Sequence, residues 1–282
     1  MDGNDSGGPG NPYDLLDRAT RRPWEGYIPP FRMAPGVFYI SGNDWVGAYL
    51  IDTGDGLVLI DTGMHETVYL LLENLRRLRF SPTDIKKILV SHAHIDHIGG
   101  ARTLKELTGA KVYLGERDLI FLGRPDLLGD EGKHTCGSVE PDELYSDAEP
   151  IRQGAIEIRT VSTPGHTPGC TSFFFEVVEK GGRRLRCGMH GGVGLNTMTS
   201  EYFATSGLPI GLRDEFIANL ERLDRMEVDV CMPSHTNQVE ILALRERITE
   251  DNNPYINPSV WHEFLRDRLG KVRALVEREL GT

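Results

Sequence analysis

The sequence has few cysteines, an excess of acid over base, and no long apolar run. Its four cysteines lie far apart and form no Cys-X-X-Cys pair, which argues against a disulfide framework and a zinc ribbon. We expect free buried thiols at Cys136, Cys170, Cys187 and Cys231. No apolar run approaches the roughly 18 residues that a membrane-spanning helix needs.

The charge balance limits the partners of the chain. Aspartate and glutamate number 42 against 31 lysines and arginines, a formal net charge of −11. Binding to nucleic acid or to an anionic membrane depends on basic residues that displace counterions, so we expect neither partner. A small-molecule substrate remains, and the sequence leaves the oligomeric state open.

The N-terminal composition predicts a division of the chain into tail and domain. Residues 1–30 are rich in Gly, Pro, Asn and charge, which predicts a flexible tail and an extended arm before a single domain over residues 31–282. The start lacks the charged-then-apolar order of a secretory signal. The chain as given therefore predicts a cytoplasmic location, or a periplasmic or secreted one if a signal peptide was removed.

Strand-like and helix-like segments alternate from Val37 onward and indicate the α/β class. Strands are expected at 87–90, 111–114, 155–161, 171–178, 183–188 and 228–233, and helices at 65–80, 101–107, 213–224 and from Pro258, with Asn257 as N-cap. The pattern predicts two sheets packed face to face with helices outside. Residues 123–150 are too long and polar for an ordinary connection and are expected to form a lid-like insertion.

Three of the nine histidines lie within six positions, directly after the strand at 87–90. In an extended loop, residues two apart point the same way, so His92 and His94 can share one metal ion while Asp96 and His97 face another direction. This suits two adjacent cations. No cysteine lies nearby, which favours a catalytic zinc site over a structural one. His166 and His235, each beside a strand end, are candidate further ligands.

The segment HAHIDH at 92–97 reads as the HxHxDH signature of the metallo-β-lactamase superfamily, together with LIDTG at 59–63, PGHTPG around His166 and PSH at 233–235. The resemblance runs from about Trp24 to the C-terminus. It implies an αββα sandwich with two mixed sheets, and two Zn2+ ions as cofactors. On the family pattern the first ion is held by His92, His94 and His166, and the second by Asp96, His97 and His235.

The same resemblance implies a mechanism. A hydroxide between the two ions would be the nucleophile, with Asp96 as the catalytic residue that orients it. Asp61 would orient the metal loop rather than act as a ligand.

The segment GMHGGVG at 188–194 indicates a branch of the superfamily. Most members carry a bridging aspartate there, and its absence beside Asp96 and His97 is similar to the third subclass (B3) of metallo-β-lactamases. That resemblance implies a dinuclear zinc hydrolase that opens the amide bond of β-lactams, an antibiotic-resistance activity. The subclass presents hydroxyl residues in this segment, whereas here only Asn196, Thr197 or Thr199 could substitute. Trp24 is a candidate wall of the site, and His190 a candidate ligand, substrate contact or loop residue.

Several alternatives remain open. The chain could be a dizinc hydrolase of another small lactone, ester or amide without significant β-lactamase activity. His94 and the missing bridging carboxylate argue against a di-iron oxidoreductase, the missing carboxylate and the acidic charge argue against a nuclease, and the full ligand set argues against a non-catalytic module. His65, His134 and His262 are expected on the surface or on a helix face, although His134 could approach the site from the insertion.

Overall fold

The computed structural model describes residues 12–124, 139–249 and 252–281. His134, Cys136 and most of the predicted insertion at 123–150 lie outside these residues, so the prediction of a lid stays a prediction. The described chain forms two mixed sheets with helices against them.

The first sheet has seven strands in chain order. The first four strands pair antiparallel, and the last three continue the sheet in parallel. A parallel pair needs a long crossover, which helices provide here. The strands are β1 (Phe31–Ala34), β2 (Val37–Tyr39), β3 (Tyr49–Asp52), β4 (Leu57–Ile60), β5 (Ile85–Leu89), β6 (Lys111–Leu114) and β7 (Glu143–Leu144).

The second sheet has five strands in the order β12-β11-β10-β9-β8. Its pairs are antiparallel except for β11 and β12, which run parallel. The strands are β8 (Ile151–Gln153), β9 (Ile156–Ser162), β10 (Thr171–Val178), β11 (Arg184–Met189) and β12 (Val230–Cys231).

Successive side chains along a strand point to opposite faces of the sheet, which produces one apolar layer between the two sheets and one outside each sheet. Tyr49 and Ile51 of β3 pack with Phe173 and Phe175 of β10, so the two sheets meet face to face. Leu50 faces the other way, into a cluster with the helices outside the first sheet. Phe174, Trp261 and other apolar residues form the matching cluster outside the second sheet. The predicted αββα sandwich is confirmed.

The helices lie on the two outer faces and in the connections. They are α1 (Pro12–Arg21), α2 (Val68–Arg77), α3 (Ile95–Ile98), α4 (Ala101–Thr108), α5 (Leu119–Gly123), α6 (Ser200–Ser206), α7 (Gly211–Leu223), α8 (Ile241–Arg245) and α9 (Pro258–Leu280). The last helix begins as predicted, because Asn257 Oδ1 accepts the Ser259 N–H at 3.1 Å and Pro258 occupies the first turn.

The N-terminal segment differs from the prediction. Residues 12–21 form a helix instead of a tail, since Leu16 and Ala19 pack against the apolar cluster outside the first sheet. Arg18 also pairs with Asp44 at 2.7 Å. These contacts are to residues distant in sequence, which the local composition of the segment does not reveal.

Three of the four cysteines lie in the described part of the chain. Cys170, Cys187 and Cys231 are free and buried. Among the described helices, none is long and apolar enough to cross a membrane.

Candidate metal centre

Six candidate ligands converge at one edge of the sandwich. His92, His94, Asp96 and His97 follow β5 in the loop and short helix α3, while His166 lies in the loop between β9 and β10. His235 follows β12. These six residues are called the His/Asp cluster below. All but His235 are buried, and His235 is half-buried. Carboxyl ends of parallel strands meet at one edge, which is where such folds place their ligands.

The ligand atoms form two neighbouring groups. Those of His92, His94 and His166 lie within 4.8 Å of one another, as do those of His92, Asp96 and His97. His235 Nε2 lies 3.2 Å from His97 Nε2 and 3.3 Å from Asp96 Oδ2, which places it beside the second group. His92 belongs to both groups. The structure therefore brings together all six residues that the sequence nominates.

Backbone and side-chain acceptors orient three of these rings. His92 Nδ1 donates to Gly191 O at 2.8 Å, His166 Nδ1 to Gly194 O at 3.0 Å, and His97 Nδ1 to Asp61 Oδ2 at 2.7 Å. A proton held on Nδ1 leaves the Nε2 lone pair free for a metal ion. His92 Nε2 is buried without a hydrogen-bond partner among the described residues. The donor set thus fits a bound cation.

Burial also keeps the rings in the neutral form that binds metal. It lowers the pKa of His94 and of His235 to about 4, and lowers the pKa of His92 and His166 well below the ordinary value of 6.5. Metal ions compete with protons for the same lone pairs. Histidine rings that stay neutral down to mildly acidic pH keep their lone pairs available for cations.

Asp61 supports the loop that carries four of the six residues. It is fully buried with φ of 57°, a left-handed conformation that aspartate tolerates better than most residues. Besides His97 Nδ1, its carboxylate accepts the Ser91 N–H at 2.7 Å and the Ser91 hydroxyl at 2.8 Å. Each of these contacts is a hydrogen bond to the loop, the arrangement expected of an orienting residue.

A second buried carboxylate, Asp118, is absent from the sequence-based candidates. It accepts the N–H of Ala93 at 2.8 Å, the hydroxyl of Thr167 at 2.8 Å and the N–H of Gly169 at 2.6 Å. It thereby joins the HAHIDH loop to the loop of His166. Burial raises the pKa of Asp118 to about 6. Its partners lie 25 to 51 residues away, so no local motif identifies it.

The three candidate hydroxyl or amide substitutes have different positions. Thr197 is buried, and its Oγ1 lies 2.9 Å from His166 Nδ1. Thr199 is the N-cap of α6, where its Oγ1 accepts the Tyr202 N–H. Asn196 is exposed beside Gly194, since a Cβ added to Gly194 would lie 2.7 Å from Asn196 Oδ1. Of the three, Asn196 is the one left at the surface.

Trp24 and Trp45 differ in their exposure and in their contacts with the His/Asp cluster. Trp24 lies in a short 3-10 helix, Pro23–Gly26, with 61% of its side chain exposed. Trp45 contacts the His/Asp cluster, since its ring centroid lies 5.4 Å from that of His235. Trp45 is held there by a backbone bridge between Val46 and His235. The sequence offered no periodic signal that could separate these two tryptophans.

His190 belongs to neither ligand group among the described residues. Its side chain is buried, its Nδ1 accepts the Gly192 N–H at 3.2 Å, and its ring lies 6.5 Å from that of Phe216. His65 is exposed, and His262 pairs with Asp224 between α7 and α9 at 2.9 Å. The expectation that these two histidines lie away from the site is consistent with these positions.

Comparisons with known proteins agree with this geometry. The family model described as metallo-beta-lactamase superfamily matches residues 46–235. The subclass B3 metallo-beta-lactamase BJP-1 of Bradyrhizobium japonicum superposes with a TM-score of 0.82 and 25% identity, over 92% of this chain and 98% of that one.

Two curated relatives are similar over shorter stretches. Glyoxylase B2 of Dictyostelium discoideum is 34% identical over 91 residues, which is 32% of this chain and 31% of the relative. An N-acyl homoserine lactonase from Bacillus sp is 24% identical over 159 residues, 48% of this chain and 60% of the relative. The chain thus spans less than two thirds of either relative. The family match, which covers more than half of the chain, and the converging His/Asp cluster together show that the chain belongs to the metallo-beta-lactamase superfamily.

Proposed function

We propose that the protein is a zinc-dependent hydrolase with two Zn2+ ions that opens the amide bond of β-lactams. One observation carries this proposal. Two groups of buried histidines and an aspartate share one edge of the sandwich, and three of the rings have their Nδ1 protons held by oxygen acceptors. The similarity to the B3 enzyme BJP-1 over nearly the whole of both chains supports the choice of β-lactams.

The residues have distinct roles in this proposal. His92, His94 and His166 would hold one ion, and Asp96, His97 and His235 the other. When bound, the two ions would supply a water of lowered pKa and Lewis-acid polarisation of the scissile carbonyl. Asp96 would both bind metal and accept a hydrogen bond that aims the attacking water. Asp61 would keep the His97 ring turned toward the site.

A different small lactone, ester or amide is the second candidate substrate. The segment 191–194 carries no hydroxyl, Thr197 and Thr199 are engaged in the protein's own hydrogen bonds, and Asn196 alone of the three candidates is exposed. A site with few donors favours a neutral substrate over a carboxylate-bearing β-lactam. The lactonase relative agrees with this alternative.

Hydrolysis by the zinc-loaded protein distinguishes the two substrates. A chromogenic cephalosporin, a carbapenem and an acyl lactone are each offered to the wild-type protein and to His94→Ala, with and without chelator. β-Lactam turnover that is abolished by His94→Ala and by chelator is the expected result. Lactone turnover without β-lactam turnover would transfer the assignment to the alternative, and no turnover of any of them by a protein that binds two zinc ions would overturn both.

A further inference from the structure

His190 makes a local hydrogen bond that the proposed chemistry leaves unexplained. The side chain is buried, with 1% of its surface exposed, and its Nδ1 accepts the N–H of Gly192 two residues along the chain. The same pattern, from side chain to the N–H at i+2, closes a turn when aspartate or asparagine makes it. An Nδ1 that accepts carries no proton, so the proton of the neutral ring lies on Nε2.

The turn that His190 closes presents its carbonyls to the His/Asp cluster. Gly191 O accepts from His92 Nδ1 at 2.8 Å, and Gly194 O accepts from His166 Nδ1 at 3.0 Å. The backbone of this segment thus orients two rings of the first ligand group. The positions of both carbonyls depend on the conformation of residues 190–194.

Two glycines of this segment, Gly192 and Gly194, lie against the ring of His166. A Cβ added to Gly192 would lie 2.6 Å from His166 Cδ2, and one added to Gly194 would lie 2.5 Å from His166 Cε1. These distances are too short for side chains larger than hydrogen. Glycine has the largest backbone freedom of any residue, so a segment built this way needs a separate contact to fix its shape.

The ring of His190 has the features of such a contact. It is anchored by burial and packs edge-on against Phe216 of α7, with ring centroids 6.5 Å apart. Within the described parts of the chain, its Nε2 has no hydrogen-bond partner. Among the described residues, the hydrogen bond from the Gly192 N–H is therefore the one that the ring of His190 makes.

We propose that His190 is a positioning residue for the metal centre: by accepting the Gly192 N–H it fixes the turn whose carbonyls orient His92 and His166. This inference rests on the proposed metal site and names no substrate. His190 acts through the backbone of residues 191–194, without touching an ion itself. An asparagine can make the same i to i+2 hydrogen bond, whereas leucine fills the space and cannot accept a hydrogen bond.

The test compares His190→Asn with His190→Leu. Zinc affinity is measured by competition with a chromogenic chelator, and the Nδ1–H of His92 is observed by NMR in the metal-free protein labelled with 15N-histidine. His190→Leu is expected to weaken zinc binding about 10- to 100-fold, the usual effect of removing the support of a ligand. It should also abolish the protected His92 Nδ1–H signal. His190→Asn should retain the signal and bind zinc within about threefold of wild type.

The controls separate this role from general destabilisation. His262→Leu removes another histidine with a hydrogen bond, to Asp224 at 2.9 Å, in a contact between α7 and α9. It should leave zinc affinity unchanged. Wild-type affinity in His190→Leu, or equal losses in His190→Asn, would overturn the proposal; if His190→Leu does not fold, the result for His190→Asn decides. Neither readout depends on turnover, so failure of the β-lactamase assignment would be recognised separately.

Discussion

Asp61 connects backbone conformation to the metal centre through three hydrogen bonds to the HAHIDH loop. An asparagine at this position would keep the left-handed φ but would turn a donor toward His97 Nδ1–H or toward Ser91. We expect Asp61→Asn to weaken zinc binding about 10- to 100-fold and to lower the free energy of unfolding by about 1–3 kcal/mol. Chelator competition and urea unfolding measure the two effects.

Asp52→Asn is the matched control for that substitution. Asp52 is exposed at the end of β3, where its Oδ1 accepts the Gly54 N–H at 3.1 Å. It should change neither zinc affinity nor stability by more than about 0.5 kcal/mol. Two zinc ions bound with wild-type affinity by Asp61→Asn would contradict the role given to Asp61.

Trp45 provides the aromatic surface closest to the His/Asp cluster in the described contacts, with its ring 5.4 Å from that of His235. A ring beside the metal centre contacts substrate in the ground state and in the transition state alike, and such uniform binding lowers KM without changing kcat. Trp45→Ala should therefore raise KM about tenfold, equivalent to about 1.4 kcal/mol. Steady-state kinetics on the substrate turned over best measures this.

Trp24→Ala serves as the comparison for Trp45→Ala. With 61% of its side chain exposed, Trp24 should tolerate truncation without change in KM. A larger effect at position 24 than at position 45 would support Trp24, the residue that the sequence nominates, as the wall of the site and would contradict the role given to Trp45.

The site residues that the sequence predicts belong to local motifs, whereas those that it misses are defined by contacts between residues distant in sequence. His92, His94, Asp96 and His97 follow a local spacing, and the motifs around His166 and His235 are local as well. Asp118 and Trp45 act through contacts that only the folded chain creates, over 25 to 51 residues for Asp118. Local patterns therefore nominate ligands, while the residues that support them require the structure.

At the scale of elements, Gly192 and Gly194 in the loop 191–194 pack closely against the ring of His166. A Cβ at position 194 would lie 2.5 Å from His166 Cε1, so Gly194→Ala must displace the ring or the loop. We expect zinc affinity to fall at least about tenfold and the free energy of unfolding to fall by about 1–3 kcal/mol. Metal titration and denaturant unfolding provide the two numbers.

Gly181→Ala is the control for Gly194→Ala, because it adds the same methyl group at a glycine with free space around it. Nothing lies within 4 Å of a Cβ added to Gly181, in the turn between β10 and β11, so this variant should bind zinc as wild type does. If Gly194→Ala were as harmless as Gly181→Ala, the close fit around His166 would be disproved.

Most strands and helices could be predicted because each has a clear apolar period. β6 and β10 have the predicted bounds, and α9 begins where its Asn-Pro cap predicts. β12 is shorter than its apolar run, spanning only Val230–Cys231. Helix α1 was missed because its apolar residues are few and its stability derives from tertiary contacts such as Arg18 with Asp44.

At the scale of the whole molecule, the buried histidines make the stability of the metal-free protein depend on pH. Burial lowers the pKa of His94 and His235 from 6.5 to about 4, so below pH 6.5 the unfolded chain binds protons that the folded chain does not. The free energy of unfolding should then fall by up to about 1.4 kcal/mol per pH unit for each ring, between about pH 6.5 and pH 4.

Asp118 acts in the opposite direction, because burial raises its pKa to about 6 and folding favours its protonated form as the pH falls. One carboxyl does not offset several imidazoles, so the net change remains a loss. Urea unfolding of the chelator-treated protein at pH 7, 6 and 5 checks this, with His94→Asn expected to give a shallower dependence. Equal stability at pH 7 and pH 5 would contradict the prediction.

The ligands come from both sheets, and this gives the ions a mechanical role as well as a chemical one. His94 and His166 are 72 residues apart and His97 and His235 are 138 apart, yet their nitrogens meet within 3.2 Å. Bound ions would act as cross-links that fasten the two halves of the sandwich, in a chain whose described cysteines are all free thiols. Zinc supply would then determine how long the protein survives exposure to proteases, and newly made chains that meet no metal would be the first to be degraded.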